Sequence, residues 1–267
     1  MVRPDYFSID YAINPHMQDA KGHLKKVNLT LAQTQWQNLQ KVFTDLGIYV
    51  YTCPAIKGLP DMVFSANHGL IFDHQIITSQ MATIQRREEV SFMKVFLNEI
   101  GIDCLNIIPE ELKFEGTGDA IWNAEKSKLF GGYGFRTDLK VYDILQEKCH
   151  IKVIPLQLVS EYFYHLDTCF CILDQHTVAY VPEAFSQESV AVIESEFKKR
   201  IVITREEGIH HFAGNAFCPD QKHVVLQSGA SQFCQQLKSH GFVPIEVETS
   251  EFIKAGGSVF CMKLEII

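Results

Sequence analysis

The sequence predicts an α/β fold arranged as a closed ring of five similar modules. Three observations predict it: a helix-then-strand junction that recurs five times, a polar or glycine-containing loop after each of those strands, and a strand-like run without a partner at each end of the chain.

The junctions run Leu46 to Val50, Ile100 to Cys104, Cys149 to Val153, Lys199 to Ile203 and His240 to Pro244, at intervals of about 50 residues that shrink to about 40 at the last. Gly47, Gly101 and Gly241 stand where a helix ends through a left-handed residue. In the first module the loop Pro60 to Asn67 leads to strands near 69–72 and 76–79 and a helix from about Arg87. The second has the loop Phe114 to Asp119, strands near 120–124 and 128–131, and a helix from about Asp138. In the third, a run containing His165 reads as a strand, with a partner near 177–181 and a helix from about Gln187. The fourth has Gly208 to Gly214, strands near 215–218 and 223–226, and a helix from about Ala230. In the fifth, Gly256-Gly257-Ser258 leads into the run from Val259, whose expected partner is the N-terminal run Tyr6 to Ile13. Such small units cannot bury both faces of their sheets alone, and closing the ring removes the exposed edges. No linker rich in Pro, Gly or Ser interrupts the series, so one domain over residues 1–267 is expected.

Composition narrows the function. The chain has 267 residues, 46% apolar and 21% charged, with a net charge of −8, which argues against nucleic acid or an anionic membrane as its main partner and suits a cationic ligand. The sequence has neither a signal-like leader nor an apolar run long enough to span a bilayer, so a cytoplasmic protein is expected. The eight cysteines form no Cys-x-x-Cys pair, and no His or Cys spacing matches a metal site, so no metal or cofactor is expected. An assembly of identical chains is compatible with the sequence.

The unusual polar residues fall in the loops, which a ring brings to its axis. In Phe163-Tyr164-His165-Leu166-Asp167, period-2 alternation would point the imidazole and the carboxylate the same way. Asn14 to Met17, Pro60 to Asn67, Glu115 with Asp119, His165 with Asp167, and Cys261 then converge. Carboxylates, a histidine and a cysteine in one pocket suit a cation held by acids while a thiolate attacks it.

Four ordered segments carry a resemblance over nearly the whole chain: Pro60-Asp61 through Ser65-Ala66-Asn67, Phe114-Glu115-Gly116 with Gly118-Asp119, Phe163 through Thr168, and Gly256-Gly257-Ser258 with Cys261-Met262. Together they resemble the guanidino-group-modifying superfamily of arginine deiminases, dimethylarginine dimethylaminohydrolases, amidinotransferases and arginine dihydrolases. The resemblance implies the five-module pseudo-symmetric α/β propeller called a pentein, and a small guanidino substrate. It implies Cys261 as nucleophile, His165 as general acid and base, and Glu115 as the carboxylate that orients His165. Asp167 resembles a guanidinium-binding acid, Asp61 a residue gripping the α-amino end, and Arg86 and Arg136 the substrate-carboxylate binders. Asp119, Asn215 and Ser258 are further candidates. Asn67 stands where deiminases carry an acid; with Asn14 it resembles the arginine dihydrolases, which carry arginine to ornithine, ammonia and CO₂. A deiminase giving citrulline, an amidinotransferase and a dimethylarginine dimethylaminohydrolase are the alternatives.

Overall fold

The computed structural model describes residues 1–267. Helix α1 (Leu29–Asp45) is capped by Asn28, whose side chain accepts from the Leu31 amide, and sets Ala32, Trp36, Leu39 and Phe43 on one buried face. A unit then appears in full. Strands β1 (Gly69–Phe72) and β2 (Gln75–Thr78) pair antiparallel, α2 (Arg87–Glu99) crosses over, and β3 (Asp103–Leu105) returns parallel to β2. The hairpin closes through Asp73 and His74, both at positive φ, as a two-residue turn requires to follow the strand twist.

The same unit recurs as β4 (Ala120–Trp122), β5 (Leu129–Tyr133), α3 (Lys140–Cys149) and β6 (Val153–Gln157). It recurs again as β7 (Phe170–Ile172), β8 (Thr177–Tyr180), α4 (Gln187–Glu196) and β9 (Lys199–Val202). The short helix α5 (Arg205–His210) precedes a reduced version, in which Phe217 alone bridges Val225 of β10 (His223–Gln227), and α6 (Ser231–Ser239) leads to β11 (Val243–Val247), parallel to β10. A single turn of helix, α7 (Ser250–Ile253), precedes the loop that carries Cys261. Gly47, Gly101 and Gly241 end α1, α2 and α6 at φ near 81°, 85° and 88°, as the junctions predict, while His150 takes the left-handed position after α3.

Two expectations about strands are corrected. His165 and Asp167 do not alternate along a strand: His165 is extended, Leu166–Thr168 form a 3-10 turn, and the strand starts only at Phe170. Thr168 makes the difference, because its hydroxyl and its amide both bond back to the His165 carbonyl, at 2.6 and 3.2 Å, and tighten the chain. The chain ends do not pair through Tyr6 to Ile13 and the run from Val259. Residues 6–13 form no strand, and Val259 to Cys261 lie in a turn closed by the Met262 amide on the Ser258 carbonyl. Met1–Arg3 instead lies parallel to Tyr51–Cys53, with bonds from the Cys53 amide to Met1 and from the Arg3 amide to Cys53, and Leu264 and Ile267 pack against the same cluster. The predicted strand at 215–218 shrinks to one bridge, since Asn215 turns its backbone toward Phe260 instead of a neighbouring strand. No helix is long and apolar enough to cross a membrane.

Candidate active site

Cys261 is buried at the end of the Gly256 to Ser258 loop, and one side chain from another unit fixes it there. Asn215 Oδ1 accepts the amides of Ser258, Phe260 and Cys261 at 3.1, 3.1 and 3.2 Å, while its Nδ2 donates to the Asp167 carbonyl at 2.9 Å and lies 3.1 Å from Cys261 Sγ. An amide does this because it carries an acceptor and two donors in one plane. Asn215 therefore shapes the cysteine loop from behind. Ser258 turns away from the thiol: its hydroxyl is 2.6 Å from that of Thr249, which donates in turn to Gln227.

The thiol donates to Asp167 Oδ2 at 3.1 Å, and Asp167 Oδ1 is buried without a partner. Burial pushes the Asp167 carboxyl up to about 7, against the opposing hydrogen bonds of Cys261 and Asn215. Burial, joined by the Asp167 charge, pushes the Cys261 thiol well above its ordinary value. One positive charge beside the pair would favour both ionised forms.

Glu115 and His165 meet from adjacent units. His165 Nε2 lies 2.7 Å from Glu115 Oε2, Oε1 accepts the Ala82 amide at 3.0 Å, and Arg136 Nη1 is 3.4 Å from both oxygens. Burial works against ionisation of Glu115, but Arg136 and His165 outweigh it and hold the carboxyl far below the usual range. His165 Nδ1 has no protein hydrogen bond, and its ring packs on Tyr164, 4.7 Å between centroids. Asp119 stands behind this pair. Its oxygens accept from the Thr137 hydroxyl at 2.7 Å and the Leu166 amide at 3.0 Å, tying the Arg136 loop to the His165 turn.

A third group comes from the loop after α1 and the start of α2. Arg86 Nη1 donates to Asn67 Oδ1 at 2.8 Å, and its Nη2 reaches the carbonyls of Asp61 and Phe64 at 3.1 and 3.3 Å. Asp61 Oδ2 accepts from the Tyr11 hydroxyl at 2.8 Å, its Oδ1 is unpartnered, and burial raises its pKa to about 6. Gly118 lets this loop close on the Glu115 segment, because a Cβ there would stand 2.2 Å from Asn67 Nδ2.

A narrow pocket joins these groups. Asn14, Asp61, Asn67, Arg86, Arg136, His165 and Cys261 line it, with Tyr164, Phe64 and Met17 among the apolar walls. Glu115, Asp167, Asp119 and Asn215 stand one layer behind, each bonded to a residue that lines it or to its neighbour, and Ser258 lies off it. Asn14 closes the rim, its Nδ2 donating to the Ala255 carbonyl at 3.0 Å. Tyr164 was missed as a wall residue. It stands under the Arg136 guanidinium, 4.8 Å from its ring centroid, and its hydroxyl bonds to the Gly256 carbonyl at 2.5 Å. The Ile13 carbonyl, which accepts from Arg136 Nη2 at 2.5 Å, carries no side-chain signal that a sequence could show.

Three raised carboxyls make stability depend on pH in a definite direction. Asp61 at about 6 and Asp119 and Asp167 at about 7 all lie above their unfolded value near ~3.9, so the folded state binds the extra protons. Their contribution is full below pH ~4 and is lost as pH rises toward ~7. A cation that meets Asp61 or Asp167 reverses their share of that trend by favouring the ionised forms. The increase in melting temperature on adding arginine should therefore be larger at pH 8 than at pH 5; an equal or smaller increase at pH 8 would show that the acids do not meet the ligand.

Comparisons with known proteins agree with this geometry. A family profile described as N,N dimethylarginine dimethylhydrolase, eukaryotic, matches residues 3–267. The bifunctional arginine dihydrolase/ornithine cyclodeaminase ArgZ of Synechocystis is 35% identical over 269 residues, 100% of this chain and 37% of that protein. The chain thus spans little more than a third of that relative. The N(G),N(G)-dimethylarginine dimethylaminohydrolase of Mycobacterium tuberculosis is 35% identical over 266 residues, covering 100% of this chain and 84% of its own. Among solved structures, the N-terminal domain of the cyanobacterial ArgZ, as a cysteine-to-serine mutant bound to substrate, superposes with a TM-score of 0.92 at 34% identity, over 99% of this chain and 96% of that one. The chain belongs to the dimethylarginine dimethylhydrolase family, and so to the guanidino-group-modifying superfamily that its four segments resemble.

Proposed function

We propose that the chain is a single catalytic domain over residues 1–267, a five-module α/β propeller that hydrolyses both guanidino C–N bonds of arginine. In this reading Cys261 attacks the guanidinium carbon, and His165 protonates the departing ammonia. His165 then takes a proton from water as it attacks the S-alkylthiouronium carbon, which frees the thiol and leaves the ureido product in place. A second attack on the ureido carbon expels a second ammonia, and hydrolysis of the resulting thiocarbamate leaves a carbamate that loses CO₂ to give ornithine. Arg136 and the one Arg86 N–H not engaged by protein serve the substrate carboxylate, Asp61 its amino group, and Asp167 charges the thiol once the cation arrives.

The observation that carries the dihydrolase reading is the fixed orientation of Asn67. Arg86 has only donors, so the oxygen of Asn67 must face it, which leaves Nδ2 of this cavity-lining residue as a donor with only a long 3.5 Å contact to the Glu115 carbonyl. A donor there suits a neutral ureido oxygen, which a carboxylate would repel. The likeness to the cyanobacterial dihydrolases supports the same reading. A dimethylarginine dimethylaminohydrolase is the second reading, favoured by the family profile and the mycobacterial relative.

Incubation with arginine and, separately, N,N-dimethylarginine, followed by quantification of citrulline, ornithine, ammonia and dimethylamine, tests both. Wild type should release two ammonia per arginine. Asn67→Asp should shift products toward citrulline about tenfold, since a charge-assisted or ideally placed hydrogen bond is worth roughly 1.5–3 kcal/mol. Citrulline alone from wild-type arginine turnover, or turnover of dimethylarginine only, would overturn the dihydrolase reading.

A further inference from the structure

Behind Asn67 lies a buried charge relay that none of the catalytic roles above uses. Glu89, on the first turn of α2, has no solvent exposure, and its carboxylate receives Arg86 through Nε at 3.2 and 3.1 Å and through Nη2 at 2.8 Å. On the other side Oε2 lies 3.0 Å from His68 Nε2, equally buried, whose Nδ1 has no partner. Four of the five Arg86 N–H groups are thereby spoken for: one on Nε and one on Nη2 by Glu89, the second Nη2 hydrogen by backbone carbonyls, and one on Nη1 by Asn67. A guanidinium gripped bidentately is fixed in plane and azimuth, unlike one held at a single point.

We infer that Glu89 is a positioning residue for the reaction's outcome: by fixing Arg86 it fixes the Asn67 amide, and so decides whether the first product is kept for a second hydrolysis. This deepens the dihydrolase reading and rests on it. Glu89 reaches no cavity-lining position of its own, so it acts only through Arg86 and His68. The second contact matters because His68 follows Asn67 directly in the chain; Glu89 therefore holds the Asn67 segment through two side chains, Arg86 on Asn67 itself and the imidazole of the next residue, His68. Without the carboxylate, Arg86 can rotate and release Asn67 Oδ1, and the amide can then flip to present its oxygen to the ureido group.

The test is product partitioning in Glu89→Gln, which keeps the side-chain volume. The ornithine-to-citrulline ratio should fall at least about fivefold, while the single-turnover rate of the first C–N cleavage changes by less than about threefold, as expected of a group that acts after that step. Equal loss of both hydrolyses with an unchanged ratio would overturn the proposal and leave Glu89 a structural residue. Since removing one partner of a buried ion pair can prevent folding, Glu89→Asp, which keeps the charge but shortens its reach to Arg86 and His68, provides the second arm and should show a fall in the same direction. If wild type forms no ornithine, the dihydrolase reading fails by itself. Positioning is then read from a double-mutant cycle of Glu89→Gln with Asn67→Ala in kcat/KM for whichever guanidino substrate is turned over: coupling of at least about threefold upholds it, and additivity overturns it.

Discussion

Cys261→Ser should abolish turnover, with kcat falling by at least ~10⁴-fold, while substrate binding persists. The hydroxyl is a far weaker nucleophile than a thiolate, and the acid beside it is too weak a base to ionise it. Asp167 stands 3.1 Å from Sγ, but burial holds its own pKa at only about 7, far below that of an alcohol. Isosteric Ser leaves the Asn215 bonds to the loop amides intact, so the cavity should keep its shape. Isothermal calorimetry should find arginine binding to the variant, and mass spectrometry of wild-type enzyme quenched in turnover should find the adduct on Cys261. An adduct on Cys169, Cys171 or any other thiol would refute the assignment.

His165→Ala should lower kcat by roughly 10²–10⁴-fold, the usual scale for losing a general acid and base. Glu115→Gln should follow in the same direction. It removes the carboxylate that lies 2.7 Å from His165 Nε2 and fixes the ring that is to protonate the leaving ammonia. The loss should shrink for an arginine analogue whose leaving group is a thiolate, which departs without a proton. If both kinds of substrate lose activity equally, His165 is not the proton donor, and a role in shaping the pocket would replace it.

Both residues were legible without coordinates, though for different reasons. The Cys261 loop is announced by Gly256-Gly257-Ser258, because consecutive glycines leave the backbone free to approach a ligand. Glu115 and His165 stand 50 positions apart and share no local signal, so the repeat brought them to one axis and only the resemblance paired them. The alternation argument for His165 and Asp167 misplaced both on a strand, yet each lies at the site. Period 2 cannot register that Thr168 draws its hydroxyl and amide back onto the His165 carbonyl. Arg86 and Arg136 were expected to act alike, and the structure separates them: Arg86 is mostly consumed by Glu89, Asn67 and backbone carbonyls, whereas Arg136 stacks on Tyr164 and bonds to the Ile13 carbonyl.

The sequence by itself determined the recurring unit. Helix stops, hairpin turns and apolar strands are local, set by glycine conformation, two-residue turn chemistry and side-chain burial over a few residues, and the observed elements fall within a few positions of those expected. It also singled out the Cys, His and carboxylates that the fold brings together around one pocket. What only the tertiary structure decided was pairing across distance. The N-terminus pairs with Tyr51–Cys53 instead of the C-terminal run, because hydrogen-bond partners between remote segments depend on how the units pack and not on the apolar character of either run. Which charges neutralise one another was settled there too. Glu89 shows no sequence signal beyond an acid in a helix's first turn, and becomes a partner of Arg86 and His68 only because folding buries all three where water cannot solvate them.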